Sequence, residues 1–123
     1  MYQVVFYEDS NGRSELWDFL DDLLRKSAEN KDARIQHKQM VYYIELLQRN
    51  GTRLPDTITK NIVQNIWELR PGDNRVFYFF FRDNTFVLLH HFRKRSQKTP
   101  QREIERAIAE RDDFLSRLGG KLL

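Results

Sequence analysis

Cysteine is absent from the 123 residues of the chain. Disulfide scaffolds, thiolate metal sites and cysteine nucleophiles are thereby excluded. Glycine-rich phosphate loops are missing too. Neither GxGxxG nor GxxxxGKS/T occurs, so nucleotide binding finds no support. The longest apolar run, Val76 to Phe81, is far too short to span a bilayer. Met1-Tyr2-Gln3-Val4-Val5-Phe6 lacks the basic stretch that opens a signal peptide. These absences lead to the expectation of a cytoplasmic protein with no membrane partner. No repeat, low-complexity segment or linker divides the chain, so a single domain over residues 1–123 is expected.

Histidine is scarce, with only His37, His90 and His91. His90 and His91 are neighbours in a strand-like run, so their side chains point to opposite faces and cannot readily share one ion. No metal site and no cofactor are expected. Ser96 has no nucleophile-elbow context. Paired carboxylates are lacking in the sheet region, where Glu68 stands alone and Asp73 and Asp83 fall in turns.

What is present suits a globular core. Hydrophobic residues make up 40% of the chain and sixteen side chains are aromatic, far too many for a disordered tail. The net charge of +3 is unevenly spread: residues 1–65 carry −1 and residues 66–123 carry +4. Arg93, Lys94, Arg95, Lys98 and Arg102 form a basic run free of acids. Such a run suits a polyanionic partner, although from charge alone a solvated positive face is the plainer explanation.

Tyr2 to Tyr7, short and rich in β-branched and aromatic residues, predicts a strand. Ser10, Asn11 and Gly12 offer helix-start chemistry, and Leu16, Leu20, Leu23 and Leu24 give helical spacing over Arg13 to Lys26. A second helix is predicted from Asp32 to Arg49, with Ile35, Tyr42, Tyr43, Leu46 and Leu47 as its apolar stripe and Asn50-Gly51 as its stop. From Ile62 to Leu69 the residues alternate with strand period. Arg70-Pro71-Gly72-Asp73-Asn74 is turn chemistry, and Arg75 to Phe81 is a nearly continuous apolar strand. Arg82-Asp83-Asn84 is a second turn before a strand from Thr85 to Phe92. Thr99 and Pro100 read as the cap and first residue of a last helix. Its apolar face is Ile104, Ala107, Ile108 and Leu115, and Gly119-Gly120 ends it. The result is an α+β domain: an N-terminal strand, a helical hairpin, a three-strand meander and a C-terminal helix. Its helices are expected on one face of a small, mainly antiparallel sheet.

The meander brings cations together. Arg70 and Arg75 flank one turn, and Arg93, Lys94, Arg95 and Lys98 leave the antiparallel third strand near Arg75. Arginine holds phosphate oxygens bidentately and stays charged. Fixed cations would stabilise the charge that grows on phosphorus oxygens when a 2′-hydroxyl attacks an RNA backbone. Simple binding is served equally well.

Ile66-Trp67-Glu68-Leu69-Arg70 and Asn74-Arg75-Val76-Phe77-Tyr78 form a recognisable pattern. Leu88-Leu89-His90-His91-Phe92-Arg93-Lys94-Arg95-Ser96-Gln97-Lys98-Thr99-Pro100, followed by Glu103-Ile104-Glu105-Arg106-Ala107, continues it. Together they resemble the phage-derived HigB-like branch of the RelE/ParE toxin superfamily. Members show an ELR turn, an Arg-hydrophobic-hydrophobic-Tyr strand and an F-K/R-K-K/R-x-x-K-T-P segment. The resemblance implies the toxin of a type II toxin–antitoxin pair, acting as a ribosome-dependent, metal-independent mRNA endoribonuclease. Arg75 matches the arginine that stabilises the scissile phosphate, Arg70 a basic position at the turn, and Arg93, Lys94 and Arg95 a further functional region. Arg95, Lys98 and Arg102 are the expected RNA contacts.

This chain departs from RelE-type toxins in two ways. Ile66 and Glu68 stand where those toxins carry catalytic lysines, and their final-helix tyrosine has no counterpart. His90, His91, Lys94 and Glu68 are the remaining acid–base candidates, with histidine best matched in pKa. The implied partners are an antitoxin with a helix-turn-helix domain, the ribosome with its mRNA, and operator DNA reached through the antitoxin. A ParE-like gyrase inhibitor, or a non-enzymatic module assisting operator binding, are the alternatives. The antitoxin is expected to dock on the N-terminal helices, leaving Arg75 and Arg93 at least partly open.

Overall fold

The structure is a computed structural model and describes residues 1–122. Its elements run β1 (Gln3–Phe6), α1 (Glu15–Lys26), α2 (Lys31–Asn50), β2 (Thr59–Val63), β3 (Ile66–Leu69), β4 (Asn74–Phe80), β5 (Thr85–Arg93) and α3 (Gln101–Leu122). The five strands form one sheet in the order β1-β5-β4-β3-β2. β1 pairs parallel with β5, and every other pairing is antiparallel. The α+β class therefore holds, with one strand more than the sequence pattern suggests.

The extra strand arises because the alternation from Ile62 to Leu69 conceals a hairpin. Gln64 takes a left-handed φ of 50°, and the chain reverses between β2 and β3 with no glycine or proline to mark it. The Asn61 amide donates to Gln64 O at 3.0 Å, and Arg111 of α3 donates to the side-chain oxygens of Gln64 and Asn65. Long-range contacts thus hold a turn that local composition does not announce.

Both faces of the sheet are covered, not one. Leu16 and Leu23 of α1, with Ala33, Met40 and Leu47 of α2, pack on Leu69, Val76, Tyr78, Phe86 and Leu88. On the opposite face, Ala107, Ile104, Ile108 and Phe114 of α3 cover Ile66, Phe77, Phe79, Val87 and Leu89. Val76 and Tyr78 face the hairpin, whereas Phe77 and Phe79 face α3, which explains the unbroken apolar run of β4.

Several helix details differ from expectation. Ser14, rather than Ser10 to Gly12, caps α1 by accepting from Trp17 N at 3.1 Å. The buried face of α2 is Ala33, Met40 and Leu47, while Ile35 and Tyr42 lie exposed. Leu47 of the expected stripe is buried and Tyr43 packs beside it, so hydrophobicity misplaced only its Ile35 and Tyr42. Gly51 ends α2 as expected, at φ 59°, where an added Cβ would also come 2.9 Å from the Tyr2 ring. In α3, Phe114 packs on the core and Leu115 is exposed. Helix α3 continues through Gly119-Gly120, because glycine costs a helix about 1 kcal/mol rather than forbidding it.

The β4–β5 connection is tight, with φ of 50° at Asp83 and 61° at Asn84. Positive φ at both central residues matches the twist of the flanking strands. Further along, Tyr78 pairs with Leu88 but Val76 pairs with His91, so Leu89 and His90 together oppose Phe77. This β-bulge reverses the facing of every later residue of β5.

Candidate functional site

The site lies where β3 and β4 meet the segment leading into α3. An open cleft of about 90 Å³ is lined by Glu68, Arg70, Arg75, Phe92, residues 94–98, Thr99 and Pro100. Strand geometry explains the convergence. Glu68 pairs with Phe77 and Arg75 with Phe92, so Glu68, Arg75 and Phe92 share the α3 face of adjacent strands. The Arg70–Asp73 turn is tight, with Gly72 at φ 62° lying so close to Gln39 of α2 that a Cβ would come 2.6 Å from its amide oxygen.

Glu68 is the hub. Its side chain is only 1% exposed, and Arg70 Nε donates to Oε1 at 3.1 Å. Arg75 Nε lies 3.7 Å from the same oxygen, and the Thr99 hydroxyl donates to Oε2 at 3.1 Å. A buried carboxylate needs such partners, since desolvation without them is costly. Behind it, Thr59 Oγ1 donates to Glu68 O at 3.0 Å, which leaves the Tyr78 hydroxyl to donate to Thr59 at 2.7 Å. Burial pushes the Tyr78 phenol up to about 12. Thr99 therefore spends its hydroxyl on Glu68 rather than on capping α3.

The two arginines are oriented but not exhausted. Arg75 Nη1 donates to Gly72 O at 2.7 Å and to Asn74 O at 2.9 Å; Arg70 Nη1 donates to Asp56 O at 3.0 Å. Among the described residues Nη2 of each has no hydrogen-bond partner. Burial, with Arg70 nearby, lowers the Arg75 pKa while Glu68 opposes the shift; the guanidinium remains charged. Lys94, Arg95 and Lys98 also line the cleft, and their side chains make no ion pair among the described residues. Five cations thus surround one carboxylate, with spare donors facing an open space of phosphate scale.

Of the sequence-derived candidates, Arg70, Arg75, Glu68, Lys94, Arg95 and Lys98 meet in this cleft. Arg93 does not: beyond the bulge it faces α2, donating to Gln36 Oε1 at 3.0 Å. Strict alternation from Phe86 would have put it on the α3 face. Arg102 is exposed on α3 outside the cleft. His90 is buried under α3, with Nδ1 2.5 Å from Glu110 Oε1 and Nε2 3.1 Å from Glu103 Oε1. Those carboxylates sit on opposite edges of the ring, so the trio does not converge on a point. His91 stacks on Phe19 of α1 at 3.9 Å, its Nδ1 is buried without a partner among the described residues, and burial lowers its pKa to about 4. Neither histidine reaches the cleft. The residue that sequence reasoning passed over as a site member is Thr99, whose only signal was its place beside the basic run.

Residues 24–112, well over half of the chain, match the family model described as "Phage derived protein Gp49-like (DUF891)". No curated protein matches the chain.

Proposed function

The chain belongs to the Gp49-like phage-derived family, a type II toxin family of the RelE/ParE-like kind whose members work against an antitoxin partner, and from that premise we propose that it is a ribosome-dependent mRNA endoribonuclease. The observation that carries this reading is the cleft itself: Arg70, Arg75, Lys94, Arg95 and Lys98 around buried Glu68. In the proposed reaction the 2′-hydroxyl of a nucleotide gives up its proton to solvent water in the open cleft as its oxygen bonds to the adjacent phosphorus, and the bond from phosphorus to the 5′-oxygen breaks. The products are a 2′,3′-cyclic phosphate and a 5′-hydroxyl.

The charge that builds on the non-bridging oxygens falls to the free Nη2 edges of Arg75 and Arg70. Glu68 holds both guanidiniums in register. Lys94, half-buried where it lines the cleft, is the proposed proton donor to the leaving 5′-oxygen, because the two histidines lie elsewhere. Arg95 and Lys98, exposed at the rim, are the proposed contacts to flanking phosphates.

The direct test incubates purified protein with mRNA, either free or programmed on ribosomes. Cleavage is expected in the ribosome-bound message only, and should be lost with Arg75→Ala. Equal cleavage of naked RNA would remove the ribosome from the mechanism. No cleavage of either, with inhibition of DNA gyrase, would replace the reading with the ParE-like one.

A further inference from the structure

Arg93 turns away from the cleft, yet it stays in contact with the turn that carries Arg75. Its Nη1 donates to Gln36 Oε1 of α2 at 3.0 Å, and its Nη2 lies 3.8 Å from Asp73 Oδ2. The same Gln36 oxygen accepts from Asn74 Nδ2 at 3.0 Å. One helical turn earlier, Asp32 Oδ2 accepts from Gln36 Nε2 at 2.7 Å. These partners settle which way the Gln36 amide points, because the reverse orientation would set its NH2 against two donors. Asn74 is 2% exposed, so its own amide needs the acceptor that Gln36 supplies.

Gln39 shares this face of α2 and packs directly on Gly72. Helix α2 therefore touches the turn at two residues, Gly72 and Asn74. Those are the two whose carbonyls accept from Arg75 Nη1, at 2.7 Å and 2.9 Å. The turn is tied from the sheet side as well, where Lys94 N donates to Asp73 O at 2.7 Å. A guanidinium aimed in advance contributes to the transition state without being reoriented there.

We infer that Gln36 and Arg93 form a brace that positions Arg75: together they hold Asn74, and the Asn74 and Gly72 carbonyls aim the guanidinium so that its Nη2 edge stays free for phosphate. The inference rests on the proposed role of Arg75 in the cleft. It gives Arg93 a task away from the RNA, as a positioning residue acting through Gln36 and Asn74.

The test measures kcat and KM for cleavage on programmed ribosomes. Gln36→Met keeps the length of the side chain and removes its acceptor. It is expected to lower kcat about tenfold and leave KM unchanged. Gln36→Glu keeps the acceptor and should restore most of the rate, despite a like charge beside Asp32. In an Arg75→Ala background Gln36→Met should change nothing further, since the group it positions is gone. A merely structural role would lower the rate equally in both backgrounds. Arg93→Ala, at an exposed position, gives a second reading where Gln36→Met loses its helical circular dichroism. It too should lower kcat alone, whereas a direct phosphate contact would raise KM and flatten the salt dependence. NMR relaxation of the Arg75 guanidinium, measured without RNA, should show it ordered in the parent and in Gln36→Glu but mobile in Gln36→Met.

The inference is overturned if Gln36→Met cleaves like the parent, or if its loss persists in the Arg75→Ala background. It is equally overturned if Arg93→Ala behaves as a lost phosphate contact, or if Arg75 is as ordered in Gln36→Met as in the parent. A parent that cleaves no RNA defeats the endoribonuclease reading instead, and the relaxation measurement then decides by itself whether the brace holds Arg75.

Discussion

Thr99 donates its hydroxyl to Glu68 Oε2 at 3.1 Å, tying the segment that carries Lys94, Arg95 and Lys98 to the strand beneath the two cleft arginines. One buried carboxylate therefore joins three pieces of chain: the β3 end, β4 and the approach to α3. The two cleft arginines are thus held by an anion buried in the sheet.

Glu68→Ala is expected to be the most destabilising single change in the cleft. It leaves Arg75 facing Arg70 with only Asp73 of the turn as counter-charge. Breaking a buried pair costs roughly 3–5 kcal/mol, and the low end applies because Arg70 can swing toward solvent. Glu68→Gln, which keeps an acceptor for Thr99, should cost less. Urea unfolding monitored by circular dichroism measures both; an Ala variant with the parent's midpoint would deny Glu68 its organising role.

Arg75→Ala should keep the fold and lower cleavage by roughly 10²–10³, the usual worth of a preorganised donor at a developing oxyanion. Arg75→Lys should rescue little, since an ammonium cannot both hold Gly72 O and Asn74 O and present a free edge to phosphate. Single-turnover rates on programmed ribosomes are the measurement. A lysine variant as fast as the parent would show that point charge suffices.

Stability should fall with acid through His91. Its folded pKa of about 4 lies below the unfolded value near 6.5 because burial disfavours the charged ring. The unfolded state therefore takes up the proton first. The contribution is complete above pH 6.5 and is lost as pH falls toward 4, by at most about 1.4 kcal/mol per unit. Urea midpoints at pH 7 and pH 5 should converge in His91→Phe, which keeps the stack on Phe19. An unchanged pH dependence in that variant would place the titration elsewhere.

Cleavage on ribosomes should survive a zinc-selective chelator. Among the described residues no three His, Asp or Glu side chains gather as a metal site requires. Loss of cleavage that zinc restores would contradict this.

The sequence disclosed elements whose signals are local: the apolar run of β4, the Asp83-Asn84 turn, the glycine after α2, and the Arg70 and Arg75 pair. It missed what contacts across the fold decide. The Gln64-Asn65 reversal carries no glycine and depends on Arg111 from α3. The bulge at Leu89-His90 is invisible to a period-two pattern, yet it alone sends Arg93 toward α2 and His90 under α3. The alternation read from Ile62 to Leu69 failed because it assumed one unbroken strand, whereas the opposite facing of His90 and His91 holds. The stripe of α2 held at Tyr43 and Leu47 but failed at Ile35 and Tyr42, which are apolar yet exposed.

Mapping mRNA 5′ ends across cells expressing the chain, beside cells expressing Arg75→Ala, tests the endoribonuclease reading most directly. New 5′ ends should appear inside translated reading frames, vanish when initiation is blocked, and be absent with Arg75→Ala. Intact messages in growth-arrested cells, together with induction of the DNA-damage response, would contradict it.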